Sequence, residues 1–362
     1  MKQLFIVALI FLSSCQKNIT DDATTPIDLK GKIVFVSSRN PNSSDAQLFL
    51  MNADGTDQKL ISNQAVDCHP PVLSHNKKKI VFTVYENLYS SLYVVDVDGQ
   101  NLKLLDQAKE NCGNPVWSPD DSKITFMRSG VTPNNNCNLF TINIDGTNKI
   151  QLTTQNNNYS PNYLPNNSAI IYTTSNGTMS GVYKMNTDGT NKQLLSPPGK
   201  SFSASSISPD GKMIAINSVD WNGTQIFVMN IDGSGLKQLT FTVDKNYYDT
   251  GFPRGGNENP VWSPNSSIIT YVSFENSNPD IFAINANGSG NKRLTDNPLR
   301  DESPSWTSDG NYIIFSAGKT WYSGGTPTYG GHVICVMTSD GQSKTPITDN
   351  QVSDIYPTFI PN

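Results

Sequence analysis

Asn114-Pro115-Val116-Trp117-Ser118-Pro119-Asp120 returns as Asn259-Pro260-Val261-Trp262-Ser263-Pro264-Asn265 and, more loosely, as Ser303-Pro304-Ser305-Trp306-Thr307-Ser308-Asp309-Gly310. A second marker keeps step with it. An Asp-Gly or Asn-Gly pair closes a short aliphatic run at Asp54-Gly55, Asp98-Gly99, Asp145-Gly146, Asp188-Gly189, Asp232-Gly233, Asn287-Gly288 and Asp340-Gly341, at steps of 44, 47, 43, 44, 55 and 53 residues. Self-similarity on that scale is the signature of a repeat architecture.

Between markers the texture is constant. Ser206–Gly211, Met213–Asn217, Gln225–Asn230 and Leu236–Thr240 are short runs, three of them rich in Ile, Val, Phe or Met, bounded by Pro, Asn, Asp and Gly. Each reads as a strand. Asp-Gly tolerates the positive φ of a two-residue hairpin turn, and Pro-Asp-Gly pre-sets φ for a slightly longer one, so both join antiparallel neighbours. Four such strands at a period near 45 predict a β-propeller blade, whose two faces are buried only by neighbouring blades.

The Trp position runs Leu73, Trp117, Tyr163, Ile207, Trp262, Trp306 and Phe359, which predicts seven blades. Lys32–Ser37 reads as a second-position strand and Tyr356–Pro361 as a first-position strand, so the two ends of the propeller segment are expected to share a blade and close the ring. The expected fold class is all-β: a seven-bladed propeller of four-stranded antiparallel blades over residues 31–362, as one domain. Helices are nearly absent from this reading.

The Pro-x-Trp-Ser-Pro-Asp-Gly and Met-Asn-x-Asp-Gly pattern, followed by Lys-x-Leu-Thr, resembles the TolB-type, WD-like propeller repeat of bacterial periplasmic proteins. The resemblance covers nearly all of residues 31–362. It implies a rigid ring found in Tol-system accessory proteins, in propellers that gate prolyl-peptidase-like enzymes and in some lyases. The namesake is similar to a six-bladed ring with an extra amino-terminal domain; seven blades without that domain are read here.

At the amino terminus Lys2 precedes an apolar run from Leu4 to Leu12, then Ser13-Ser14-Cys15. A charged start, an apolar core and small residues describe a secretory signal, too short to span a bilayer. Leu12-Ser13-Ser14-Cys15 resembles the bacterial lipobox, which implies a signal peptide over 1–15, lipidation at Cys15 and, with Gln16 next, sorting to the outer membrane. Residues 16–30 are polar and aperiodic and read as a tether.

A net charge of -5 and a pI near 5.2 leave no basic field for nucleic-acid phosphates. Of the cysteines beyond Cys15, Cys335 sits in an aliphatic strand and reads as a small buried hydrophobe. Cys112 and Cys137 border connections expected at one end of blade three, where a disulfide is geometrically allowed in an oxidising compartment; Cys68, at the matching place in blade two, competes for Cys137.

In an up-and-down blade the first-to-second and third-to-fourth connections share one face. All of these are short. The long insertions fall on the other face: Arg128 to Asn138, Phe241 to Asn259 and Ala317 to Gly331. Long connections in compact folds are commonly functional. These carry Tyr247, Tyr248, Phe252, Arg254, Trp321, Tyr322 and Tyr329, with Trp221 expected on the same face. Aromatic rings with a few polar groups suit sugar faces or the apolar anchors of a protein partner; packing of these rings on one another is the structural alternative.

Just before the first strands stand Asp67, His69, Asn114, Glu258, Asp301, Glu302 and Asp354, with Asn111, Asn158 and Asn257. This ring of oxygens around the channel mouth reads as capping of strand starts and a hydrated channel, with a hard cation such as Ca²⁺ as the alternative. No metal or cofactor is assigned. With only three His, a three-His site on one face is not available, and no nucleophile elbow or phosphate loop occurs. The chain is read as a non-enzymatic, monomeric, lipid-anchored envelope propeller that binds a protein partner, against a glycan-binding or lyase-like alternative with a channel-mouth metal.

Overall fold

The computed structural model describes residues 27, 29–39, 46–62, 64, 70–86, 89–107, 112–129, 136–220, 223–241, 256–275, 278–297, 300–323, 326–349 and 352–362. Among the described residues, twenty-eight strands form seven four-stranded antiparallel sheets. Blade one takes β1 (Lys32–Ser37), β2 (Gln47–Asn52) and β3 (Lys59–Ser62), with β28 (Asp354–Ile360) on its inner side. Blade two is β4 (Val72–Leu73), β5 (Lys79–Glu86), β6 (Tyr89–Asp96) and β7 (Lys103–Asp106). Blade three is β8 (Cys112–Trp117), β9 (Lys123–Ser129), β10 (Cys137–Asn143) and β11 (Ile150–Gln151). Blade four is β12 (Asn157–Tyr163), β13 (Ile170–Ser175), β14 (Ser180–Met185) and β15 (Gln193–Leu194). Blade five is β16 (Phe202–Ile207), β17 (Met213–Asp220), β18 (Gly223–Asn230) and β19 (Lys237–Gln238). Blade six is β20 (Asn257–Trp262), β21 (Ile268–Ser273), β22 (Asp280–Asn285) and β23 (Lys292–Arg293). Blade seven is β24 (Asp301–Trp306), β25 (Tyr312–Ser323), β26 (Thr326–Thr338) and β27 (Thr345–Pro346).

Closure follows the predicted scheme. β28 pairs antiparallel with β1, Ile33 opposite Phe359 and Ser37 opposite Asp354. Blade one is therefore completed by both ends of the ring, which cannot open at this blade without breaking a ladder.

There is no single core. Seven apolar clusters occupy the seven seams between blades. β1 shows why its sequence is almost wholly apolar: Ile33 and Phe35 pack toward blade seven, while Val34 and Val36 pack toward blade two. Successive side chains alternate faces, and here both faces are interior. Fully burying one such side chain contributes about 1.5–3 kcal/mol.

The Trp position belongs to the seams. Trp117 is buried against blade two, and its Nε1 donates to the Val72 carbonyl at 2.9 Å. Trp262 does the same toward Ser206 O at 3.3 Å. Trp306 Nε1 donates to Thr270 Oγ1 at 3.0 Å, and the Tyr163 hydroxyl takes its place toward Thr125 Oγ1 at 2.8 Å. A buried indole N–H needs an acceptor, and the preceding blade's second or inner strand supplies it.

The Asp-Gly turns also touch across seams. In Asn52-Ala53-Asp54-Gly55-Thr56, Thr56 N and Oγ1 donate to Asp54 Oδ1 at 2.9 and 2.6 Å, and Asn52 Nδ2 donates to Thr56 Oγ1 at 2.9 Å. The same network recurs at Asn143–Thr147, Asn186–Thr190, Asn230–Ser234 and Asn285–Ser289. Gly55 has φ +87° and lies so close to blade seven that a Cβ would stand 2.0 Å from the Ile347 carbonyl oxygen. Only glycine meets both demands.

Three expectations are corrected. Ala317–Gly331 is not a long loop: β25 and β26 run on as a hairpin, paired from Tyr312–Thr338 out to Ser323–Thr326. Thr, Tyr and Trp in that stretch favour a pleated ladder. Arg128 and Asn138 likewise lie in paired strands opposite one another. Finally, Cys112 and Cys137 are not joined to each other. Cys112 pairs with Arg128 and Cys137 with Ser129, so β9 runs between them and they stand two strand spacings apart, roughly 10 Å, beyond disulfide reach. Cys112 Sγ instead donates to Ser90 O at 3.1 Å. Cys68 lies outside the described residues, and Cys335 is buried as expected.

Candidate functional site

The inner strands share one irregularity. Register shifts interrupt β8 between Gly113 and Val116, β12 between Tyr159 and Asn162, β20 between Glu258 and Val261, and β24 between Glu302 and Ser305. At each bulge a residue before proline adopts positive φ: Asn114 (48°), Ser160 (51°), Asn259 (51°) and Ser303 (55°), with Tyr356 (55°) in β28. A left-handed non-glycine residue stores local strain of about 1–3 kcal/mol, and proline removes the donor that a regular ladder would use. Bulges of this kind re-aim backbone and side chains.

Those at Asn114, Ser160 and Asn259 line the central channel. A cavity of about 350 Å³ is bounded by Pro70 and Val72, Asn114 to Val116, Ser160 to Asn162, and Asn259 to Val261. The quoted Asn-Pro-Val-Trp signature therefore has two jobs: its Asn-Pro shapes the channel and its Trp fills a seam.

Above the bulges, Glu258 and Glu302 hold equivalent places in blades six and seven. Burial, then the nearby Glu302 carboxylate, pushes the Glu258 carboxyl above the usual range. Glu302 accepts from Arg300 Nη2 at 2.6 Å and Nε at 3.2 Å. His332, on β26, is held below the ordinary imidazole pKa chiefly by burial and further by Arg300, against the pull of Glu302; its backbone N–H donates to Ser353 Oγ at 3.3 Å. The group is a polar corner beside the foot of the blade-seven hairpin; the sequence singled out Glu258 and Glu302 but did not join Arg300 and His332 to them, because these two stand thirty-odd residues apart.

Asp301 and Asp354 head their inner strands but are wholly buried between blades rather than open to channel water. They sit five positions before the Trp column, where side chains turn into the seam. Asp354 is paired with Arg39 at 2.9 Å. Asp67 and His69 lie outside the described residues.

The long-loop face is described in part. Connections between second and third strands and between successive blades leave from one end of the sheets, because every sheet runs in sequence order with antiparallel neighbours. The blade-seven hairpin extends from that end, with Trp321 opposite Thr328, Tyr322 opposite Pro327 and Thr320 opposite Tyr329. Trp221, Tyr247, Tyr248, Phe252 and Arg254 lie outside the described residues. At the same end, blade four carries a groove of about 180 Å³ between Met179, Gly181, Tyr183 and Leu194 on one side and Pro197, Pro198 and Lys200 on the other. The Pro197-Pro198-Gly199 run was its sequence signal.

Among the described residues no group of three or more His, Cys, Asp or Glu is arranged to hold a metal ion.

Seven blades, Trp side chains filling the seams between them and a bulge-lined channel define a seven-bladed β-propeller. The chain belongs to the family described as the TolB beta propeller domain, whose profile matches residues 28–250. An uncharacterized protein of Agrobacterium fabrum is 28% identical over 96 residues, 26% of this chain and 30% of that one, so the chain matches under a third of this relative's length. A putative TolB from Agrobacterium tumefaciens superposes with a TM-score of 0.53 at 17% identity, over 75% of this chain and 98% of that one. An oligogalacturonate lyase in complex with manganese superposes with a TM-score of 0.62 at 15% identity, covering 85% of each chain. At such identities the likeness is one of fold, and the fold serves unrelated functions.

Proposed function

We propose that this protein is a non-enzymatic, lipid-anchored propeller of the bacterial cell envelope that binds a protein partner through its long-loop face. The observation carrying this reading is the one-sided outgrowth of the ring. The Asp-Gly turns at one end are short, while β25 and β26, twelve and thirteen residues long, run on toward the other. A rigid ring presenting an aromatic-bearing hairpin supplies preorganised contact area, and aromatic anchors dominate interface energetics.

The membrane is reached through the acylated Cys15 alone, with residues 16–30 as tether; more than one acyl chain is needed for firm anchoring. Gln16 directs the protein to the outer membrane, and the propeller stays a monomer. No cofactor is assigned.

The experiment is affinity capture from envelope extracts with wild-type protein and with Trp321→Ala and Tyr248→Ala. Loss of a specific partner with either variant supports the reading, and undiminished capture of every partner removes this face from consideration. A glycan array on the same proteins separates the sugar-binding alternative. Metabolic fatty-acid labelling that survives Cys15→Ser refutes the anchor.

A further inference from the structure

The repeat supplies its own controls for one unusual seam. At three seams a Thr hydroxyl in the segment after the fourth strand meets a polar side chain near the head of the third strand, beside the head of the next blade's inner strand. Between blades three and four, Thr153 Oγ1 donates to Asn138 Oδ1 at 3.2 Å, with Asn158 Nδ2 reaching Cys137 O at 3.3 Å. Between blades five and six, Thr240 Oγ1 donates to Gln225 Oε1 at 2.9 Å and Asn257 Nδ2 donates to the same oxygen at 3.2 Å. Between blades six and seven the corresponding residues are Thr295, Asp280 and Asp301, and both carboxyls are completely buried.

An amide can donate across such a seam; a carboxylate cannot. Thr295 Oγ1 approaches Asp280 Oδ1 at 3.5 Å, having already accepted from Ile281 N at 2.9 Å. The Asp301 backbone N–H donates to Pro279 O at 2.9 Å, which holds the two acids at one seam. Asn297 Nδ2 donates to Asp301 Oδ2 at 2.9 Å, while Asp301 Oδ1 has no hydrogen-bond partner. Thr295 brings one hydroxyl hydrogen to the two acids, and two buried like charges at one seam disfavour ionisation of both.

We propose that Asp280 and Asp301 share a proton across the seam between blades six and seven, in the place of the amide hydrogen that joins Asn257 to Gln225, and that loss of this proton loosens the seam.

The surrounding charges agree. Arg293 of β23 stands 2.7 Å from Asp280 Oδ2 but is itself 35% exposed. Lys344 favours ionised Asp301, but its ion pair is with Asp296 at 3.5 Å, and Asp296 disfavours ionised Asp280. Of the charged groups on strands packed against β24, Asp354 is taken by Arg39, and Glu302, on β24 itself, by Arg300; Glu258 on β20 adds negative charge only. Burial, with Asp280 adding to it, pushes Asp301 up to about 7, and burial outweighs Arg293 to push Asp280 up to about 6.

The folded chain thus holds a proton that the unfolded chain has released, and the stability tied to it is lost as pH rises through the window from about 4 to about 7. Asp301 directly precedes Glu302, so a loosened seam acts on the Arg300–Glu302 pair.

The test uses thermal unfolding of the full chain, wild type and Asp301→Asn, at pH 5 and pH 8. The amide of the variant carries its own donor hydrogens at either pH. The wild-type midpoint is expected to fall by several degrees relative to the variant between the two pH values. Parallel profiles overturn the proposal. Infrared difference spectra at pH 6 give a second readout that needs no stable variant: the carbonyl band of a protonated carboxylic acid must be present in the wild type, and its absence also overturns the proposal.

Discussion

Replacing Trp117 separates packing from hydrogen bonding in a seam. The indole is 3% exposed in the cluster between blades two and three, and its Nε1 bonds to the Val72 carbonyl at 2.9 Å. Trp117→Ala removes the filling of the seam, a change that costs about 3–5 kcal/mol in well-packed cores. Trp117→Phe keeps an aromatic ring but leaves the Val72 carbonyl without its donor, which costs roughly 1–3 kcal/mol for a buried group. Urea unfolding followed by far-ultraviolet circular dichroism is the assay, since removing a tryptophan alters fluorescence directly. Phenylalanine should recover about half or more of what alanine loses. If Trp117→Ala stays within about 0.5 kcal/mol of wild type, as a surface change would, the Trp position does not hold the seams. If phenylalanine is as damaging as alanine, the hydrogen bond outweighs the packing, and the attribution to seam filling fails.

The turn glycines grade in the same way: Gly55→Ala, with its Cβ 2.0 Å from Ile347 O, should destabilise far more than Gly146→Ala, whose nearest neighbour is Leu105 O at 3.7 Å. The second change carries only the left-handed backbone cost of about 1–2 kcal/mol, and equal melting temperatures for the two variants would contradict the seam contact. Cys112 and Cys137 should both alkylate in denaturant without reductant, as read by mass spectrometry of the peptides; a linked peptide pair would contradict the strand register that separates them. In the native protein Cys112, buried and donating to Ser90 O, should react more slowly than the half-buried Cys137, whose thiol pKa is itself raised by burial.

Blade count, strand order and closure were legible because their signals are local. A period-two apolar run, an Asp-Gly pair and a Trp position each act within a few residues, and seven repetitions average out worn copies such as Leu73 and Ile207. The site was legible only in outline. Counting residues between Ala317 and Gly331 predicted length at the correct end, but not that strand-forming Thr, Trp and Tyr would lengthen a ladder instead of forming a loop. Counting likewise gathered Asp301 and Asp354 with Glu258 and Glu302, although the first two are wholly buried and Glu302 is bound to Arg300.

What the chain determines by itself is the repeat: how many blades, which strand opens and closes the ring, and where each turn falls, since each depends on neighbours close in sequence. Only the ring decides what faces what. Trp117 meets Val72, Gly55 meets Ile347, and Asp280 comes to lie beside Asp301. Those contacts cross from one blade to another, and their partners are set by the curvature of the closed ring, which no local periodicity encodes.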